Sequence, residues 1–106
     1  MKFSKVSFDA IIGTSYIDAV DVSYDSLVKI FGEPHRLCGD KVKAEWVLKF
    51  DDGTIATIYD WKEYDTPLED IREWHIGGYY REAARRVLEV IEANDALFEE
   101  ESQVCI

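Results

Sequence analysis

Lys43-Ala44-Glu45-Trp46-Val47-Leu48-Lys49-Phe50-Asp51-Asp52-Gly53-Thr54-Ile55-Ala56-Thr57-Ile58-Tyr59-Asp60-Trp61-Lys62 is the stretch that decides how this chain folds. Two runs rich in β-formers flank Asp52-Gly53, a pair suited to a two-residue type I′ turn. That turn sets Phe50 opposite Ile55, Leu48 opposite Thr57, Trp46 opposite Tyr59 and Ala44 opposite Trp61, all on one face. Cross-strand pairs of this kind stabilise a hairpin by up to about 1 kcal/mol each. The other face then gathers Lys43, Glu45, Asp60 and Lys62, either a solvated patch or the polar half of a site. Trp46 and Tyr59 are expected to be mostly buried.

Downstream, Thr66-Pro67-Leu68-Glu69 has the form of a capping box, with proline at the first helical position. It predicts a turn of helix through Ile71, followed by a short strand over Trp74–Ile76. The run Trp74-His75-Ile76-Gly77-Gly78-Tyr79-Tyr80 then stops at two glycines, and a helix with Tyr80, Ala83, Ala84, Val87 and Ile91 on one face begins behind them. Glycines at positive φ beside a helix start would offer uncovered N–H groups to an anion. A plain strand-to-helix turn is the alternative. Asn94 is expected to end the helix, so that residues 1–95 form one domain and 96–106 an acidic tail with Glu99-Glu100-Glu101.

Upstream, Val6, Phe8, Ala10 and Ile12 alternate and predict a strand over 5–12 that ends at Gly13. A second strand over 16–22 carries Asp18 and Asp21, as an edge strand would. Ser23 is an N-cap for a helix with Tyr24, Leu27, Val28 and Phe31 on one face, closed by Gly32 and Pro34. Residues 35–43 read as a polar loop. The expected architecture is α+β: an antiparallel β-sheet of about four or five strands with two main helices packed on one face.

A chain of 106 residues is one domain, and 47% apolar with 13% aromatic residues is the composition of a folded globule. No apolar run approaches the roughly 20 residues that span a bilayer, and nothing in the first residues resembles an export signal. Cys38 and Cys105 fit neither a disulfide framework nor a metal motif, so the expected setting is the cytoplasm. The formal net charge of −10 argues against direct nucleic-acid binding. It suits ordinary solubility, or a protein that imitates nucleic acid. So many rings in so short a chain also predict self-association to a homo-oligomer.

No sequence pattern points to catalysis. The chain has two histidines, His35 and His75, and neither a zinc spacing nor a nucleophile elbow, Walker loop or dinucleotide fingerprint. The expectation is a protein that is not an enzyme, with no catalytic or metal-binding residues and no cofactor. Binding has more support. Bases cluster in two islands, Arg36 to Lys49 and Arg81 to Arg86, in a chain otherwise acidic. The candidate ligand contacts are His75, Gly77, Gly78 and Arg81 around the glycine junction, with Lys43 and Lys62 from the hairpin and Tyr59 and Trp74 as rings. A phosphate on the backbone and lysines, with a base stacked on the rings, makes a nucleotide the natural ligand class.

The words Tyr24-x-x-Leu27-x-x-x-Phe31-Gly32-x-Pro34, Lys43-x-x-Trp46, Asp52 to Lys62 and Trp74-His75-Ile76-Gly77-Gly78 together resemble a family of small proteins encoded by tailed phages and prophages. The likeness covers residues 13 to about 88. It implies a phage accessory protein acting in the bacterial cytoplasm and brings no catalytic residues with it. The function expected in that context is anti-defence: sequestration of a nucleotide immune signal. The alternative is an acidic inhibitor of a host defence protein.

Overall fold

Between the two long hairpin strands the chain turns through three residues rather than two. The computed structural model describes residues 2–36 and 41–104, so Cys38 and Cys105 lie outside the described residues. Strand β4 (Ala44–Phe50) and strand β5 (Ile55–Tyr59) are joined by Asp51, Asp52 and Gly53. Gly53 N–H donates to Phe50 O at 2.9 Å, and Phe50 N–H donates to Thr54 O at 2.9 Å. Gly53 has φ +89°, the left-handed geometry that closes a three-residue hairpin loop. The Asp52 side chain accepts the Thr54 N–H at 3.0 Å, which pins the loop.

This turn corrects the expected register. Glu45 pairs with Tyr59, Val47 with Thr57 and Lys49 with Ile55, one residue out from the two-residue reading. A slip of one residue carries every side chain of a strand to the other face. Ala56, Ile58 and Asp60 therefore join the buried layer with Trp46 and Leu48, while Thr57 and Tyr59 turn to the opposite face.

The sheet has six strands, all pairs antiparallel. Strand β1 (Phe3–Lys5) lies beside β4, and the order continues β5, β6 (Glu73–Gly78), β2 (Ser15–Asp21). The short β3 (His35–Arg36) shares the β4 edge with β1, pairing His35 with Glu45. Helix α1 (Tyr24–Phe31) and helix α2 (Glu82–Val104) supply the second layer, on one face of the sheet. The α+β architecture read from the sequence is the one observed.

Most of α1 is as its sequence dictates. Ser23 Oγ accepts the Ser26 N–H at 3.1 Å, and Gly32, at φ +85°, returns its N–H to Val28 O at 2.8 Å. Its apolar stripe meets Trp46 and Trp74, both wholly buried, and Tyr24 stacks on Trp74 at 6.1 Å between ring centroids. Each indole N–H finds a carbonyl: Trp46 Nε1 donates to Gly32 O at 2.8 Å and Trp74 Nε1 to Ile71 O at 3.3 Å. Buried rings satisfied in this way contribute both area and orientation.

Four local expectations are corrected. Residues 5–12 are not one strand, since β1 ends at Lys5 and Phe8–Ile11 forms a 3-10 turn that packs against β4 and β5. Thr66 does not cap a helix; Leu68–Asp70 is a single 3-10 turn without a side-chain cap, and Thr66 O accepts Lys43 Nζ at 2.6 Å instead. Asn94 does not end α2. Its Nδ2 donates to Val90 O at 2.8 Å, and the helix backbone runs on to Val104. Gly77 and Gly78 are not a turn either: both belong to β6, paired on one side with β5 and on the other with β2.

Neither of those glycines has a positive φ, so conformational freedom does not explain them. Space does. A Cβ on Gly78 would stand 2.3 Å from Ala83 Cβ at the start of α2. Gly78→Ala is therefore expected to destabilise the fold by about 1–3 kcal/mol through overpacking. Urea unfolding of Gly78→Ala, Ala83→Gly and the double variant should show positive coupling, the second change relieving part of the first. Strictly additive losses would count against this packing account.

Candidate functional site

The two helices cover one face of the sheet and leave much of the other bare. On that outer face β4 contributes Glu45, β5 contributes Thr57 and Tyr59, β6 contributes His75 and Gly77, and β2 contributes Tyr16. Trp61, just past β5, and Ile11 and Thr14, from the segment after β1, raise the walls. The result is a trough of about 280 Å³ over Glu45, Thr57 and Gly77, with an adjoining recess of about 340 Å³ among Tyr16, Tyr59, Trp61 and His75.

Its rings meet edge to face. Tyr16 and His75 lie 4.8 Å apart between centroids, His75 and Tyr59 5.6 Å, and Tyr59 and Trp61 6.3 Å. Lys41 and Lys62 hold their ammonium groups 5.8 and 5.7 Å from the Trp61 ring. These are cation–π distances, and they place two positive charges beside Trp61, which lines the trough. Lys62 is also the one non-glycine among the described residues with positive φ, 57°, and its N–H donates to Lys41 O at 2.9 Å.

Gly77 makes the floor. A Cβ there would approach Thr57 Cγ2 to 2.8 Å and Tyr59 Cε1 to 3.5 Å, within the space the trough occupies. The two adjacent glycines thus serve opposite faces, Gly78 admitting the helix and Gly77 opening the cavity. The wall from the 3-10 turn is held by Tyr79, whose hydroxyl lies 2.7 Å from both Ala10 O and Ile12 O.

Glu45 is the polar group at the centre. Thr57 Oγ1 donates a short hydrogen bond to Glu45 Oε2, which fixes the carboxylate over the floor. Burial pushes its carboxyl above the ordinary value of 4.5, against the opposing pull of the Thr57 hydroxyl and His35. Asp60 adds a smaller upward push. Burial likewise raises the Tyr59 phenol, with Glu45 and Tyr16 contributing, so Tyr59 enters the site as a neutral hydroxyl. Beneath these residues Asp60 Oδ1 accepts the N–H groups of Lys43 and Ala44 at 2.8 and 3.0 Å. His35 Nε2 and Asp60 Oδ2 are buried without hydrogen-bond partners.

Of the candidate contacts named from sequence, Tyr59, Lys62, His75 and Gly77 come together here. The other four do not. Trp74 is wholly buried under α1, Gly78 faces α2, and Lys43 is tied to Thr66 O. Arg81 borders a separate groove between β2 and α2 with Ile17, Asp18, Arg85 and Leu88. The expected anion cradle at the glycines is absent, because both residues sit in the ladder. Three donors of the first α2 turn also have partners: Ala83 N–H bonds Tyr80 O at 3.1 Å, and Ala84 and Arg85 N–H bond Arg81 O at 3.1 and 3.3 Å. Thr57, Tyr16 and Lys41 were not among the candidates, and Glu45 was placed only on the charged face of the hairpin; a three-residue reading of Asp51-Asp52-Gly53 would have brought Thr57 to that face.

Neither a protein-family model, nor a curated protein, nor a solved structure matches this chain. Among the described residues no group of histidine, cysteine, aspartate or glutamate side chains could hold a metal ion, and no helix is long and apolar enough to cross a membrane.

The Glu45 environment yields a stability test. Around it are His35 from β3, Tyr59 from β5, Asp60 just past β5 and beneath it, and Tyr16 across the trough. Its proton is held to higher pH in the folded chain than in the unfolded one. That contribution is full below the ordinary carboxyl value and is lost as pH rises through the folded value. Near neutral pH the buried charge is thus a cost, and Glu45→Gln, which can still accept from Thr57, should raise Tm. The gap should close as the pH falls below the ordinary value of 4.5. Melting curves of the two proteins across this range check the sign; a Glu45→Gln protein less stable at neutral pH would contradict it.

Proposed function

We propose that the trough binds a nucleotide, with the base against the rings and a phosphate at Lys41 and Lys62. The observation that carries this reading is the chain of rings Tyr16, His75, Tyr59 and Trp61, ending in two ammonium groups beside the indole. A ring surface accepts the π-face of a base for about 1–3 kcal/mol. Cations held nearby on an otherwise acidic protein would meet the phosphate and focus attraction beside Trp61. The chemistry is binding without turnover. In the setting implied by the resemblance to phage-encoded proteins, its use would be to sequester a nucleotide immune signal in the host cytoplasm.

Trp61 is the natural reporter, being 41% exposed while Trp46 and Trp74 are wholly buried. Titration with mononucleotides and cyclic dinucleotides should change its emission, and ligands that do so should raise Tm by mass action. Trp61→Phe should lose the optical signal, and Lys41→Ala/Lys62→Ala should weaken binding with a smaller salt dependence. Products appearing in proportion to protein would end the non-enzymatic reading. The absence of both an emission change and a melting shift at millimolar ligand would overturn nucleotide binding itself.

A second reading draws on the −10 net charge and the 23-residue α2, which carries Glu82, Glu89, Glu92 and the Glu99-Glu100-Glu101 run. Such a charge balance suits an acidic inhibitor docking on a basic defence enzyme. Removing residues 95–106 should then reduce inhibition, and inhibition should weaken with salt as exposed charges are screened.

A further inference from the structure

We infer that Glu45 reads the edge of the bound base and selects guanine over adenine. This rests on the nucleotide reading above and deepens it. A carboxylate is an acceptor with no proton to give, and its two oxygens present about four lone-pair sites. Thr57 occupies one of them, on Oε2, and in doing so sets the plane of the group. Among the described residues no donor besides Thr57 meets this carboxylate, and Glu45 lines the trough, so Oε1 is left there as an acceptor open to a ligand.

What fills such an acceptor best is a pair of adjacent donors on one flat edge. The Watson–Crick edge of guanine offers a ring N–H beside an exocyclic amine. Adenine offers a single amine beside an unprotonated ring nitrogen, whose lone pair would face the carboxylate and be repelled. A site whose buried polar group is left unmatched rejects the wrong ligand more strongly than apolar fit does. The surroundings leave room for this approach. Gly77 carries no side chain beside Thr57, and the neighbouring Tyr59 offers its ring to the base rather than a competing charge. His35, whose Nε2 is buried without a partner, stands across from Glu45 in the β3–β4 register and favours its charged form.

Calorimetric titration with GMP, IMP and AMP tests the inference on the full chain. IMP keeps the ring N–H and lacks the amine, so the expected order is GMP, then IMP, then AMP. GMP should exceed AMP by roughly 10- to 100-fold, the discrimination typical of a bidentate base contact. Glu45→Gln should remove most of that preference, because GMP loses the doubly accepting carboxylate while the amide can donate to the adenine ring nitrogen and accept from its amine. Equal affinity for GMP and AMP, or an unaltered preference in a folded Glu45→Gln protein, would overturn the role of Glu45 and leave the nucleotide reading standing. Failure of all three to bind, with cyclic dinucleotides also silent, would overturn both.

Discussion

The left-handed residue at Gly53 governs which side chains of β5 see solvent. With Asp52 holding Thr54, the loop closes on three residues, and β5 presents Ala56 and Ile58 to the helices. Had it closed on two, Thr57 and Tyr59 would have entered the core and the outer face would have lost the centre of its trough. The same loop is tied to the second layer. Arg86 Nε of α2 donates to Asp52 Oδ2 at 2.9 Å, and the Thr54 and Arg86 contacts together lower the Asp52 carboxyl to about 2. Because Asp52 is largely exposed, the ion pair matters more for placing the turn than for net stability.

How much of this was legible depends on what each feature required. The strands 44–50 and 55–59 and the helix 24–31 declare themselves, because alternation, capping and a glycine stop all agree. Register was not legible in the same way, since Asp51-Asp52-Gly53 accommodates either loop length and the wrong one also yields an apolar face. The 3-10 turn at 8–11 was hidden because Val6, Phe8, Ala10 and Ile12 alternate as a strand would, while tertiary packing draws the chain across β4 and β5. The site was legible only in part. Tyr59, His75, Gly77 and Lys62 could be named from their chemistry, but Glu45 acquires its character from the partner strand.

Gly77 and Gly78 show why a motif can be noticed for the wrong reason. Adjacent glycines invite a turn, yet neighbours in a strand point to opposite faces. Here each face requires an absence: the helix start crowds one residue, and Thr57 and Tyr59 crowd the other. Backbone conformation is ordinary at both, so the constraint is one of volume.

Tyr79 carries a consequence that concerns motion. The segment bearing Ile11 and Thr14 belongs to no sheet ladder, and a phenol hydroxyl between two carbonyls is a principal tie on it. Sub-regions held by few buried contacts open at far lower free energy than the whole domain. That wall is fastened from outside the ladders, by Tyr79 and by the packing of Phe8–Ile11 on β4 and β5, whereas the six-stranded sheet and its aromatic core are held by other contacts.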